Sequence, residues 1–382
     1  MSTYLIVSAD FTTRGGQDRA NYALASYLAR QGHRVHVVAH QVEEALLQDG
    51  DVTWHRAPKP LGSTFLGEPF LQRVGTRVAR ALERDDARVI TNGGNCDCPA
   101  DANWVHYVHA AYAREPDGAA RRVRYKLYHR RFISNERRAI GRARAVIANS
   151  HRTARDLQRL VDIAPESTHV IYYGIDATRF HPPASPLQRA GDSVLFIGAL
   201  GDRRKGMDCV FRAWQILCAD RAWTANLLVV GRGADVPRWR ERVARAGMSS
   251  RVEFLGFRDD IPDLLRDSIA LVSPTGYEAY GLAVHEAICC GVPAVVSADA
   301  GVAERYPTDL SHLLLSDPND ADELARKLRE CASPSDDRRA ALRRFSDELR
   351  CRTWDDMSAG IERLIESSRR SPASQPVALA TP

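Results

Sequence analysis

The stretch Ser273–Val296, SPTGYEAYGLAVHEAICCGVPAVV, decides the fold of this chain. Just before it, Ile269–Val272 is a short apolar run of the kind that forms a buried parallel strand. Thr275–Tyr280 is a loop broken by Gly276. From Gly281 the residues turn small and apolar, and the helix they predict should stop at Gly291, with Pro293 beyond it. Ala294–Val296 opens the next strand. The helix N-terminus of this βαβ unit is therefore aimed at the C-terminal edge of a sheet, where free N–H groups and the helix dipole favour anions. Two carboxylates flank the same spot, Glu278 in the loop and Glu286 in the helix. Amides for a diphosphate beside carboxylates for hydroxyls suit a sugar nucleotide. The plainer reading is a buried βαβ unit whose glutamates are solvated or capping.

The chain has 382 residues, for which two domains are the natural expectation. Its 44% hydrophobic and 26% charged content is that of an ordinary globular protein. No apolar run reaches the ~18 residues needed to span a bilayer. MSTYLIVSAD lacks the basic and long apolar regions of a signal peptide, and the eight cysteines are scattered, so a reduced cytoplasm is the expected compartment. Cys96 and Cys98 read as free thiols, since no second pair stands at metal-ligand spacing.

The first half alternates strands and helices. Tyr4–Ser8 is a strand, Asp10–Gly16 (DFTTRGG) a loop, Gln17–Arg30 a helix, and Arg34–Ala39 a strand. Gly15 and Gly16 thus sit where backbone approaches a ligand or simply turns tightly. They do not form G-x-G-x-x-G, so a nicotinamide cofactor has little support. Val52–Arg56 and Ala87–Thr91 are further strands around a helix near Pro69–Glu83. Alternation in Asn103–His109 places Trp104, His106 and Val108 on one face. Residues 114–144 carry eleven Lys/Arg against three Asp/Glu, a net of +8 in a chain of +5. This basic helical stretch, with Tyr125, Tyr128 and Phe132, is a solvated face, a contact for anionic lipid, or a contact for a phosphorylated acceptor. No nucleic-acid module is visible. Ala145–Asn149 and His169–Tyr172 are strands, and Pro182–Gly191 reads as a linker.

The second half restarts the pattern. Ser193–Ile197 is a strand, GALGDRRKG a loop, and a helix begins at Met207. Asn226–Gly231 and Arg251–Gly256 are strands, and Ile261–Arg266 is a helix leading into the central stretch. His312–Leu315 is a last strand, followed by helices at Ala321–Cys331, Arg338–Arg350 and Arg352–Ile365. Ser367–Pro382 is polar and reads as a disordered tail.

The central stretch resembles the family-4 retaining glycosyltransferases, whose mark is Glu, seven residues, Glu within P-S-x-x-E-x-x-G-L-x-x-x-E-A-x-x-x-G-x-P. Here the matching residues are Pro274, Glu278, Gly281, Leu282, Glu286, Ala287, Gly291 and Pro293, with Thr275 where Ser is usual. Gly174-Ile175-Asp176, Phe180 and Pro182 resemble the family's N-G-V-D-x-x-x-F-x-P, with Tyr173 in place of Asn. Asp299–Glu304 resembles its G-G-x-x-E. The resemblance implies an α/β GT-B fold: two Rossmann-like domains (1–183 for the acceptor, 192–350 for the nucleotide sugar) with a cleft between them. A C-terminal cross-back helix (351–366) and a tail (367–382) would follow.

It also implies roles. Lys205, with Arg204 beside it, would grip the donor diphosphate; Ala199 stands where the family has a further Arg. The Gly281 and Leu282 amides would meet phosphate, Glu286 the ribose, and Glu278 the sugar. Gly15 and Gly16 would face the donor phosphates. A histidine at the end of the Asn103–His109 strand would lie near the sugar; His106 fits best, with His109 the alternative. The family's base-binding loop would fall near Phe257–Arg258. The reaction would be transfer with retention to an acceptor hydroxyl, on the front face, with the leaving phosphate helping to take the proton. No cofactor would be needed, and no metal. The partners would be a nucleotide-sugar donor, an acceptor, and at most a peripheral anionic membrane surface on the cytoplasmic side. The competing readings are a GT-B epimerase or phosphorylase, and a degenerate GT-B protein that only binds.

Overall fold

The structure, a computed structural model, describes residues 1–112, 119–183 and 192–370. The chain divides into two compact units. Unit 1 is Met1–Gly174 together with the chain from Thr353 onward, and unit 2 is Ile175–Arg352.

Unit 1 opens with β1 (Thr3–Val7), whose five residues are all buried, as a strand covered on both faces requires. The short β2 (Asp10–Phe11), α1 (Gly16–Arg30), β3 (Arg34–Ala39), the short β4 (Gln41–Val42), the one-turn α2 (Glu44–Leu47) and β5 (Val52–Arg56) follow. Next come α3 (Thr64–Ala81), β6 (Arg88–Thr91), β7 (Ala100–Val105), α4 (Ala119–Ile140), β8 (Ala143–Ala148), α5 (His151–Asp156) and β9 (Thr168–Val170). The main sheet runs β5-β3-β1-β6-β7-β8-β9, every pair parallel, while β2 pairs with β4. Strand order reverses between β1 and β6, the place where α/β sheets open a crevice at their C-terminal edge. Leu5, Val7 and Val38 pack with Leu71, Val74 and Val78 of α3, and with Cys96 and Cys98. Val105, Val146 and Ala148 pack with Leu157 and Val161.

Unit 2 repeats the plan with β10 (Ser193–Ile197), α6 (Met207–Cys218), β11 (Asn226–Val230), α7 (Val236–Arg245), β12 (Val252–Gly256), α8 (Ile261–Arg266) and β13 (Ser268–Ser273). It continues with α9 (Leu282–Cys289), β14 (Ala294–Ser297), β15 (Leu314–Leu315), α10 (Ala321–Ala332) and α11 (Asp336–Arg350). Its parallel sheet is ordered β12-β11-β10-β13-β14-β15, with the reversal between β10 and β13. The chain then returns to unit 1 as α12 (Trp354–Arg370). There Glu366 accepts from the Tyr4 hydroxyl at 3.1 Å and from Arg88 Nε at 2.8 Å, and Glu362 accepts from the Tyr27 hydroxyl at 3.2 Å. The hydrogen bond from Arg88 holds the Glu366 carboxyl below its usual value.

Several boundaries differ from expectation for local reasons. α3 starts five residues before Pro69, because Ser63 caps it by accepting from the Leu66 N–H. β7 ends at Val105 rather than continuing to His109, so His106 lies just past the strand and residues 109–111 form a 3₁₀ turn. Ser367–Arg370 are helical, extending α12 past the expected stop; the rest of the expected tail lies outside the described residues, as do residues 114–118 of the basic stretch and 184–191 of the expected linker.

Glycine is required where unit 2 turns from the β10 loop into α6. Gly206 has φ +77°, and a Cβ there would lie 1.9 Å from the Pro274 carbonyl oxygen. Gly247 has φ +70° but open space around it. Gly247→Ala is therefore expected to cost about 1 kcal/mol, the left-handed strain alone. Gly206→Ala should cost clearly more, since backbone must also move. Thermal denaturation of the two variants checks this, and equal losses would contradict the close approach.

Candidate functional site

The C-terminal edge of the unit 2 sheet gathers most of the residues singled out from the sequence. After β10, Arg203–Lys205 form a 3₁₀ turn capped by Asp202, which accepts from the Arg204 N–H. Arg204 Nε reaches the Asp202 carboxylate at 2.6 Å, and the Arg204 carbonyl accepts from the Gly276 N–H at 2.8 Å. The loops after β10 and β13 are thereby tied together at the switch point. Lys205 Nζ then meets Glu278 Oε2 at 2.5 Å, both groups largely buried. The lysine and the loop glutamate, 73 positions apart in sequence, share one ion pair.

α9 begins beside this pair. Gly281 precedes it at φ +111°, and a Cβ there would crowd Val302 at 3.0 Å and Glu278 at 3.4 Å. The 298–303 segment holds the loop from the other side, with Gly301 N–H on the Glu278 carbonyl at 3.0 Å and Val302 N–H on the Tyr280 carbonyl at 2.7 Å. Leu282 is the first helical residue, so its N–H belongs to the turn that has no intrahelical acceptor. Glu286 lies in the same helix and is buried. In the next loops, Phe257 is exposed beneath the Arg232 guanidinium, 4.9 Å from its ring centre. The edge thus offers cationic groups, a helix N-terminus and two carboxylates, the equipment for a diphosphate bearing hydroxylated rings. Among the described residues no cluster of three or more His, Cys, Asp or Glu could hold a metal ion.

His106, Gly15 and Gly16 belong to unit 1. Gly15 precedes α1 at φ +85° and Gly16 is its first residue. Asp18, in the first turn, has its carboxyl pushed up to about 7 by burial and by neighbouring Asp10, with Lys59 opposing. Sequence reading passed over Asp18, though an acid directly after a glycine pair at a helix start is a usable signal.

His106 sits at the unit 1 switch point inside a buried chain of hydrogen bonds. Asn21 Nδ2 donates to Ser8 Oγ at 2.7 Å, and Asn92 Nδ2 donates to Asn21 Oδ1 at 2.9 Å. Asn92 Nδ2 also lies 2.6 Å from His106 Nε2, and His106 Nδ1 lies 2.5 Å from the Tyr173 hydroxyl. Asn149 Nδ2 donates to the same hydroxyl at 3.1 Å. With an amide N–H at Nε2, the network assigns the ring proton to Nδ1. The ring packs on Trp104, and burial alone lowers its pKa to about 3. His106 is thus neutral with both nitrogens engaged. His109, three residues on, carries its imidazole half-exposed against the buried carboxylate of Glu136. Tyr173 and Glu136 had no sequence signal beyond a departure from the family pattern and a lone acid in a basic helix.

Both halves of the chain are similar to known proteins. Residues 14–179 match the family described as Glycosyltransferase Family 4, and residues 191–333 match Glycosyl transferases group 1. The chain is thus similar to glycosyltransferases over both of its halves, each through its own family model. Among relatives, it is 34% identical over 215 residues to the lipopolysaccharide core biosynthesis mannosyltransferase LpsB of Rhizobium meliloti (strain 1021), covering 52% of this chain and 57% of that one. The chain spans about half the length of the relatives it matches. Among solved structures, sucrose-phosphate synthase from Thermosynechococcus elongatus superposes with TM-score 0.78 at 20% identity, over 97% of this chain and all of that one. Anabaena Alr3699/HepE in complex with UDP and glucose gives 0.71 at 19%, over 96% of this chain and all of that one. These likenesses establish the GT-B fold, two Rossmann-like units on parallel sheets.

Burial of histidines gives a pH dependence. His106 and His285, the latter also fully buried and held by the Tyr280 hydroxyl at 2.9 Å, both have pKa values lowered to about 3. Their unfolded values lie near 6.5, so the unfolded chain takes up protons that the folded one refuses. Stability is full above about pH 6.5 and falls by up to about 1.4 kcal/mol per pH unit per histidine below it. Denaturant unfolding is expected to show clearly lower stability at pH 5 than at pH 7.5. The His106 ring should remain neutral by NMR at pH 5; titration near 6.5 would contradict its placement.

Proposed function

We propose that this chain is a retaining glycosyltransferase that moves a sugar from a nucleoside-diphosphate donor to an acceptor hydroxyl. The observation that carries the reading is the Lys205–Glu278 ion pair beside the N-terminus of α9, at the switch point of unit 2. Lys205 and Arg204, with the Gly281 and Leu282 N–H groups, would hold the diphosphate and offset the charge that grows as the sugar–phosphate bond breaks, a large term in such reactions. Glu286 would accept from ribose hydroxyls. Glu278, drawn from Lys205 to the sugar hydroxyls when donor binds, would orient the sugar while the lysine turns to phosphate. Gly15 and Gly16 would let backbone approach the substrate, and His106 would hold the strand ends in place. Basic side chains and the helix end would do the work of a metal. Incubating the protein with UDP-, GDP-, ADP- and dTDP-sugars, and reading free nucleoside diphosphate together with the anomeric configuration of the product, tests the reaction. A released nucleoside diphosphate with a glycosylated product also excludes an epimerase, a phosphorylase and a protein that only binds.

On this reading Lys205→Ala should lower turnover at least tenfold with little change in melting temperature, because the ammonium acts mainly on the developing charge. Glu286→Ala should weaken donor binding by ~1.5–3 kcal/mol, about 10- to 100-fold, as hydroxyls lose a charged acceptor. Calorimetry with the turned-over donor measures the second; unchanged affinity would remove Glu286 from the site.

The acceptor side would include a surface that meets anionic lipid. In α4 the exposed Val123 and Leu127 stand among exposed Lys126, Arg130 and Arg131, and Leu61, Leu66 and Phe70 are also exposed on the neighbouring α3 region. Phe65 stacks on Tyr128 at 3.9 Å, joining the two helices. Apolar groups rimmed by cations fit a headgroup layer, each cation adding about 1 kcal/mol. No described helix is long and apolar enough to cross a membrane. Co-sedimentation with phosphatidylglycerol vesicles is expected at low salt. It should be lost at high salt, and reduced at least tenfold when Val123, Lys126, Leu127 and Arg130 are changed to Ser. Absence of binding at low salt would leave a soluble acceptor or a solvated face.

A further inference from the structure

Cys96 and Cys98 take no part in the sites described above. They lie in the connection between β6 and β7, which carries no strand or helix from Asn92 to Pro99. Both are free and buried. Their sulfurs are 3.4 Å apart, within hydrogen-bond reach of each other. The Cys96 sulfur also rests on α3, 3.7 Å from the Thr76 hydroxyl and 3.8 Å from the Gln72 carbonyl oxygen. Gly75 makes that seat possible, since a Cβ there would come within 2.9 Å of the Cys96 Sγ. Asp97, between the two cysteines, is tied down by an exposed arginine: Arg142 Nη1 donates to its carbonyl at 2.7 Å and lies 3.9 Å from its carboxylate.

This geometry is close to that of a disulfide. The bond needs Cα atoms about 4.4–6.8 Å apart and sulfurs at about 2.05 Å. Residues two apart reach at most about 7 Å, and the chain bends here. From 3.4 Å the sulfurs have about 1.4 Å to close. The two sulfurs are also unlike. The Cys98 thiol supports a thiolate on Cys96 and lowers its pKa against the effect of burial, while Cys98 is itself pushed up by Cys96 and by burial. A thiolate is the form that meets an oxidant, and a thiol in contact with it resolves the product. A second close pair, Cys289 and Cys290, is built differently. The two are consecutive at the end of α9, where side chains diverge by about 100°, and burial raises both thiols.

We propose that Cys96 and Cys98 are a reversible oxidation site, a dithiol that a peroxide closes to an intramolecular disulfide, and that closure loosens the hold of this loop on α3. Oxidation takes place when the loop opens. The Cys96 thiolate attacks one peroxide oxygen, the S–O bond forms as the O–O bond breaks, and the other oxygen leaves as water after taking a proton. The Cys98 sulfur, losing its proton, then displaces hydroxide from the Cys96 sulfenic acid, which gives the disulfide and a second water. The dithiol loses two electrons and the peroxide gains them. The new bond draws the Cys96 sulfur away from Gln72, Gly75 and Thr76. A dithiol reductant reverses the reaction by thiol–disulfide exchange.

The test uses the native full-length chain. Graded hydrogen peroxide is added, remaining thiols are alkylated under denaturing conditions, and the peptide carrying both cysteines is weighed by mass spectrometry. It should be lighter by two hydrogens and free of alkyl groups, and dithiothreitol should restore two alkylatable thiols. Cys289 and Cys290 should stay alkylated, while exposed Cys351 shows that the oxidant has acted. Cys96 and Cys98 both still alkylated once Cys351 is oxidised would overturn the proposal, as would a disulfide from either of them to another cysteine. Cys98→Ser should stop the reaction at a sulfenic acid on Cys96, trapped by dimedone. Dimedone on Cys98 in Cys96→Ser, with none on Cys96 in Cys98→Ser, would overturn the assignment of roles. The oxidised native protein should melt below the reduced one and recover with dithiothreitol; equal melting temperatures would defeat the loosening of α3. None of these readouts depends on turnover, so they stand or fall apart from the glycosyltransferase reading.

Discussion

Unit 2 depends on the close approach of two loops at its switch point. Gly206 must be glycine because the Pro274 carbonyl occupies the space a Cβ would take, and the Gly276 N–H closes the contact on the Arg204 carbonyl. That contact makes Lys205 and Glu278 neighbours. The entry of α9 beside this pair is fixed in turn by Gly281 and by the 298–303 segment. The chemistry of the edge follows from backbone geometry first and from side-chain identity second.

Unit 1 has the same sheet plan but uses its switch point differently. Ser8, Asn21, Asn92, His106, Tyr173 and Asn149 fill the place with their own polar groups, all at most 8% exposed. Each amide or ring in such a chain is useful only while its neighbours are satisfied, and removing one leaves buried donors or acceptors unpaired. The network ties together the strand ends of β1, β6, β7 and β8. Asp18 and His109 lie outside the network, and each departs from an exposed side chain of its type: the first has its carboxyl raised to about 7, the second is paired with a buried carboxylate.

The regular βαβ alternation was legible because parallel strands buried on both faces are short apolar runs, and most predicted strands fall within two residues of those observed. Lys205, Glu278, Gly281 and Glu286 were legible as a pattern, and the structure shows three of them in mutual contact or next to it. What the sequence did not reveal depended on distant partners. Asn103–His109 alternates as a strand would, yet the ladder stops at Val105, where pairing with β8 ends at Ala148. Nothing local to Glu136 distinguishes it from a solvated acid on a basic helix; its partner His109 lies 27 positions earlier, and the close approach of Gly94 to its backbone comes from over forty positions away. The engagement of His106 likewise comes from Asn92 and Tyr173, neither adjacent in sequence.

The chain leaves unit 1 at Gly174 and re-enters it at Thr353, and the two points touch: a Cβ on Gly174 would lie 2.1 Å from the Thr353 carbonyl oxygen. Unit 2 is thus an insertion between two abutting residues, and it is the only unit whose residues are contiguous. During synthesis it is complete once Arg352 has emerged. Unit 1, begun first, must wait for α12 to supply Glu362 and Glu366 to Tyr27, Tyr4 and Arg88. The order of completion of the two units on the ribosome is therefore the reverse of the order in which they begin, and α1 and the Tyr4 and Arg88 side chains remain without their α12 partners until that helix arrives.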